Sequence, residues 1–177
     1  MKYPSKSTLL AVMFFAVVTL VLTYPLILNM GTGVKDLGDP LLNTWILDSN
    51  IHKISHLNFK EFFDTNIFYP FKHTLAYSEH LFTQSLIGLP ISVFTQNPVF
   101  VYNFVLLFSF FTSCLGMYFL ARYLTKNSWA AIIAGIIYGF SPFMFGHLSH
   151  LQIITAGGIP LAFLFLHKFF KQSSSPR

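Results

Sequence analysis

No acidic residue precedes Asp36 or follows Glu79, and Asp36, Asp39, Asp48, Glu61, Asp64 and Glu79 are the whole set. Any chemistry that needs a carboxylate is therefore confined to the stretch from Gly31 to Pro98. Cysteine is scarcer still: Cys114 is alone and inside an apolar run, which excludes an intrachain disulfide and reads as a free core thiol. Charged residues make up only 10% of the chain, against about 25% in soluble domains. In their place stand 54% hydrophobic and 18% aromatic residues, with a mean hydropathy of +0.59. This is the composition of an all-α integral membrane protein forming a single membrane domain. The net charge of +5 does not point to nucleic acid, because the basic residues form no stripe with interleaved aromatics. They sit in twos and threes at the ends of apolar segments, where they set topology.

Lys2 and Lys6 precede an apolar run from Thr8 to Met30, long enough to cross a bilayer core of roughly 30 Å. The run exceeds a normal signal-peptide core and lacks an Ala-x-Ala cleavage pattern, so a retained span is expected, with Pro25 weakening its last turn. Leu41 to Leu57 fits an amphipathic surface helix. Ile46, Leu47, Ile51, Ile54 and Leu57 share one sector, Asp48, Ser49, His52, Lys53, Ser55 and His56 occupy the other, and Asn50 alone falls on the wrong side. Phe59 to Lys72 is aromatic, proline-bearing and irregular, an ordered loop at the membrane surface. Thr74 to Gln96 is helical but polar in its first half and interrupted by Pro90. Three further spans are expected at about 98–121, 129–146 and 151–170. The second is broken by Ser141-Pro142 and carries a small-residue ridge, Ala131, Gly135 and Gly139, for close helix packing. The third is distorted by Gly157-Gly158 and Pro160.

Basic residues decide the topology. If Thr74 to Gln96 does not cross, Lys2, Lys6, Arg122, Lys126, Lys168, Lys171 and Arg177 all face the cytoplasm, seven of the eleven. If it crosses, only Lys2 and Lys6 do. The positive-inside rule prefers four spans in the cell membrane, with both termini cytoplasmic and residues 31–97 forming an outer loop with two surface helices.

Several motifs then carry a resemblance. They are Gly38-Asp39-Pro40 with Trp45 after the first span, Asn66-x-x-Tyr69-Pro70 followed by Leu75-Ala76, and Asn97-Pro98-x-x-x-Tyr102-Asn103. Further on come Tyr118-x-x-Ala121-Arg122 and Ala134-Gly135 leading to Phe140-Ser141-Pro142. Together they resemble the amino-terminal portion of GT-C membrane glycosyltransferases, such as protein O-mannosyltransferases and aminoarabinose transferases. The resemblance implies transfer of a sugar from a polyprenyl-phosphate carrier to an acceptor on the outer face. Asp39 matches the family's early acidic residue, the base that takes the proton of the attacking acceptor hydroxyl. Departure of the lipid phosphate calls for positive charge or hydrogen-bond donors, for which topology offers Lys72, His147 and His150. Members of the family generally have many more spans, so the resemblance also implies a truncated chain.

Each candidate also has a plainer reading. Asp39 before Pro40 suits a helix cap, and Asp36 suits a solvated loop position, ahead of an assisting or metal-binding role. His147 and His150, one turn apart, suit a phosphate or simply the interface. Glu79 and His80 suit the same cleft or the solvated face of a surface helix. No Asp-x-Asp pair occurs, so no metal is predicted, and no cofactor is expected. Membrane lipids and a polyprenyl-phosphate-linked sugar are the expected partners. The rival reading is a non-catalytic scaffold or assembly subunit working with other membrane subunits. A transporter fragment is disfavoured because no span holds an acidic residue.

Overall fold

The computed structural model describes residues 6–173; Lys2 and Arg177, counted above for topology, lie outside the described residues. All regular structure among the described residues is helical: α1 (Lys6–Leu22), α2 (Asp39–Ser55), α3 (Phe82–Ser92), α4 (Pro98–Thr125), α5 (Ser128–Gly139), α6 (Pro142–Gly146), α7 (Leu151–Ile154) and α8 (Gly158–Ser173), with 3-10 turns at Leu26–Asn29 and Thr74–Tyr77. Three stretches are long and apolar enough to cross a membrane: Pro98–Thr125, Ser128–Gly146 and Leu151–Ser173. The chain divides into two compact units, one built from Met1–Ile27, Leu106–Leu148 and Ile153–Arg177, the other from Leu28–Val105 and Ser149–Gln152.

In the first unit, α1 stops well short of the Met30 end expected for its apolar run. Pro25 has no N–H to continue the ladder, and the chain turns at residues 23–25 before the 3-10 turn. With 17 residues, α1 rises about 25 Å. Ala11, Phe15 and Thr19, four residues apart, are its buried positions. The small-residue ridge of α5 packs as its spacing predicts, with Ala131, Gly135 and Gly139 buried. A Cβ on Gly135 would lie 2.6 Å from Phe15 Cζ and 2.9 Å from the Cys114 carbonyl oxygen, and one on Gly139 would collide with Cys114 Sγ. Cys114 is accordingly a buried free thiol. Asn127 caps α5, its Oδ1 accepting from the amides of Trp129 at 2.9 Å and Ala130 at 3.2 Å.

The break expected at Gly157-Gly158 falls at residues 155–157, between α7 and α8. Its freed carbonyls find side-chain donors: Ser113 Oγ donates to Ile154 at 3.1 Å, and Tyr138 Oη donates to Ala156 at 3.0 Å. Broken helices at membrane depth require this repair. The glycine is there for contact as well as for distortion. A Cβ on Gly157 would meet the Thr112 carbonyl oxygen at 2.6 Å, and one on Gly116 would meet the Gly157 carbonyl oxygen at 2.5 Å.

In the second unit, α2 packs on α3. Asn43, Thr44, Ile46, Leu47, Asn50 and Ile51 form the buried face of α2, while Leu57 lies past its end and is exposed. Asn50, out of place on a purely apolar face, is fully buried because its Nδ2 donates to the His80 carbonyl at 2.5 Å. Gly88 admits its neighbours closely: a Cβ there would lie 2.8 Å from Val101 Cγ1 and 3.2 Å from Ile51 Cδ1. At 11 residues, α3 rises about 16 Å, roughly half a bilayer core.

Candidate functional site

The segment leading to the two aspartates is fastened by two asparagines, Asn97 just before α4 and Asn103 within it. Asn97 Oδ1 accepts from the amides of Val99 at 3.0 Å and Phe100 at 3.1 Å, opening the helix, while its Nδ2 donates to the Gly31 carbonyl at 2.9 Å. Two turns on, Asn103 Nδ2 donates to the carbonyls of Met30 at 2.9 Å and Gly33 at 2.7 Å. These contacts fix the backbone just before Asp36. The spacing Asn97-Pro98-x-x-x-Tyr102-Asn103 thus has a physical role in this chain.

Asp36 and Asp39 both meet the short segment that precedes α7. Ser149 Oγ donates to Asp36 Oδ2 at 2.5 Å, and the Gly38 amide donates to Asp36 Oδ1 at 2.9 Å. His150 Nε2 lies 3.3 Å from Asp39 Oδ2. Asn43 Nδ2, one turn further along α2, donates to the Ser149 carbonyl at 3.1 Å and anchors the segment from the other side. The Ser149 hydroxyl first, and then the Gly38 amide, hold the exposed Asp36 carboxyl below its ordinary value; Lys35 and His150 push the same way and desolvation opposes them.

Asp39 is not a helix cap. Gly38 occupies the cap position without a side-chain bond, and α2 starts at Asp39, with Pro40 following in the first turn. The Asp39 carboxylate is thus left for His150. The pair is well exposed, 56% for Asp39 and 42% for His150, and exposed ion pairs add little to stability. An exposed carboxylate with one oxygen at an imidazole is equipped to accept a proton from an approaching hydroxyl. Buried polar atoms of the same unit, among them Asn50 Oδ1, Tyr102 Oη, Asn103 Oδ1 and Gln152 Oε1, have no protein hydrogen-bond partner.

The other candidates are placed elsewhere. Lys72 and Glu79 are exposed on the connection between α2 and α3. His80 is turned inward between Phe62, at 4.6 Å between ring centroids, and Phe63, at 4.5 Å. Its Nε2 donates to the Phe62 carbonyl at 3.4 Å, and its Nδ1 faces Asn50 Nδ2 at 3.4 Å. Burial lowers its pKa first, the Phe62 carbonyl opposes, and the Lys53 charge adds to the lowering. His147 belongs to the other unit, where its ring lies on Phe143 at 4.2 Å and its Nδ1 bonds the Phe143 carbonyl at 2.8 Å. Among the described residues no group of three or more His, Cys, Asp or Glu is arranged to hold a metal ion.

The chain matches no protein-family model, no curated protein and no solved structure. The site's chemistry therefore has to be argued from its own residues. Ser149 and Asn43 were not singled out as functional from the sequence. The polar run His147-Leu148-Ser149-His150 marked the region, but a partner 113 residues away leaves no local trace.

Proposed function

We propose that this chain is a GT-C-like membrane glycosyltransferase, or the amino-terminal portion of one, that transfers a sugar from a polyprenyl-phosphate donor to an acceptor hydroxyl at the outer face of the cell membrane. The observation that carries the reading is the exposed Asp39 carboxylate, 3.3 Å from His150 Nε2 and beside an Asp36 already committed to Ser149 and Gly38. In this mechanism Asp39 takes the proton of the acceptor hydroxyl as its oxygen attacks the anomeric carbon, and the polyprenyl phosphate leaves with the electrons of the broken glycosidic bond. His150 orients the Asp39 carboxylate and, when protonated, offers positive charge toward the departing phosphate. The unmatched polar atoms of Tyr102, Asn103 and Gln152 are buried and suit ordered water.

The topology that goes with this function has four spans, α1 included, with the unit built around Asp39 outside and both termini in the cytoplasm. A general base typically contributes 10²–10⁴-fold, so Asp39→Asn is expected to lower transfer from a polyprenyl-phosphate sugar by about two orders of magnitude or more, with membrane abundance unchanged. The measurement is transfer of radiolabelled sugar in membranes carrying the full chain. Undiminished turnover by Asp39→Asn rejects the role of base. If wild-type membranes bind the donor but show no transfer, the scaffold reading takes precedence.

A further inference from the structure

The first unit holds no acidic residue, since all six lie between positions 36 and 79. Its described basic residues nonetheless gather at one end of its helices. Lys6 opens α1, Arg122 lies in the last turn of α4 and Lys126 just past its end, and Lys168 and Lys171 fall in the last turns of α8. Arg122 Nη2 donates to Ser7 Oγ at 3.4 Å, tying the α1 start to the α4 end.

Tyr123 is the centre of this group. Lys126 Nζ lies 4.4 Å from its ring centroid and Lys168 Nζ 5.4 Å from the same ring. His167 Nδ1 meets the Tyr123 hydroxyl at 3.3 Å. Two ammonium groups more than forty residues apart in sequence, one just past α4 and one in α8, thus share one phenol ring. The ring quadrupole attracts each of them but does not cancel their mutual repulsion, and the unit has no aspartate or glutamate to do so. An anion from outside the unit would complement these charges. Its surroundings favour a lipid over a soluble ion, because Trp129, three residues after Lys126 in sequence, is 76% exposed on a stretch long and apolar enough to lie in a membrane. Tryptophan and lysine together at a helix end are the pairing found at headgroup depth.

We infer that Tyr123, Lys126 and Lys168, with His167 and Arg122 beside them, form a binding site for the phosphodiester headgroup of an anionic phospholipid. Lys126 and Lys168 supply the charge, Tyr123 holds both ammonium groups in place, and the apolar surface around Trp129 takes the upper acyl chains. The site is independent of the sugar-transfer reading.

The test is electron spin resonance of the full chain in phosphatidylcholine vesicles containing a trace of chain-labelled lipid. Chain-labelled phosphatidylglycerol is expected to enter the motionally restricted population about fivefold more readily than labelled phosphatidylcholine, the factor that a lysine close to an anionic headgroup supplies. Lys126→Gln/Lys168→Gln is expected to bring that ratio close to one, whereas Lys35→Gln/Lys60→Gln, an equal change of charge in the other unit, leaves it unchanged. A wild-type ratio of one overturns the site without reference to any variant. So does an equal fall in both double variants. If millimolar inorganic phosphate abolishes the preference and chloride of the same ionic strength does not, the site belongs to a soluble phosphate and the lipid assignment falls.

Discussion

Asp36 and Asp39 are three positions apart and face consecutive residues, Ser149 and His150, yet they are committed to different degrees. Both oxygens of Asp36 accept from internal donors, the Ser149 hydroxyl and the Gly38 amide, which makes it a fastening for the segment before α7. Asp39 meets His150 through one oxygen only and is the freer base. The lowered pKa of Asp36 gives this division a measurable sign. A depressed carboxyl contributes stability that is complete above its ordinary value and is lost as pH falls through its own lower value. Ser149→Ala removes the largest cause of the lowering. The Asp36 carboxyl is expected to titrate at higher pH in that variant, as read from the carboxyl carbon shift of labelled aspartate. An unchanged titration midpoint contradicts the assignment of Ser149 as its principal donor.

At the scale of elements, two features govern how firmly these residues are held. The first is the connection between α2 and α3, pinned by Lys53 and His80. Lys53 Nζ donates to the carbonyls of Phe62 and Asp64, and burial lowers its pKa, partly offset by Asp64 and Glu61. The His80 ring is held below its ordinary 6.5, chiefly by burial, so the folded connection favours the neutral imidazole. The stability from this preference is complete above pH 6.5 and is lost as pH drops below that value. Hydrogen exchange of the Leu75 amide, which donates to the Phe63 carbonyl at 3.1 Å, is expected to speed up on acidification beyond its intrinsic pH dependence. His80→Phe keeps an aromatic ring against Phe62 and Phe63 and should abolish that acid sensitivity; a persistent acid effect assigns it to another group.

The second feature is the break between α7 and α8. A methyl group on Gly157 would press against the backbone of Thr112, not against a side chain able to turn aside. Gly157→Ala is expected to destabilise the fold by about 1–3 kcal/mol, the usual penalty for overpacking, seen as a lower thermal midpoint in detergent. The contrast with α5 shows what a sequence makes legible. Ala131, Gly135 and Gly139 repeat at helical spacing, so their packing face could be read directly. Gly116 and Gly157 lie 41 residues apart, and only the folded backbone brings them together. For the same reason the break near Gly157 was visible while its partner was not, and the carboxylate cluster was visible while Ser149 and Asn43 were not. Asn50 was visible as an exception to the apolar face, but its reason, the His80 carbonyl, lies in another element.

For the whole molecule, membrane character follows from composition and from three helical stretches of spanning length and apolarity. α1 is the departure, its helix cut to 17 residues by a proline within a longer apolar run. The proposed arrangement puts positions 53 and 126 on opposite sides of the membrane. In a Cys114→Ser background, a single cysteine at position 53 is expected to react with impermeant maleimide added outside intact cells, and one at position 126 only after the membrane is opened. Equal labelling of both from outside is incompatible with that topology.

The hydrogen bond between Asn97 and the Gly31 carbonyl spans 66 residues of sequence and 2.9 Å of space. Positions 31 and 97 therefore meet, and the stretch between them, α2 and α3 included, begins and ends at nearly one point. Lengthening, trimming or exchanging a stretch of this kind does not change the distance its flanks must bridge. Residues 32–96 are also held along their length, by Asn103 on the Gly33 carbonyl, Ser149 on Asp36 and Asn43 on the Ser149 carbonyl, so any exchange of this stretch has to keep those partners.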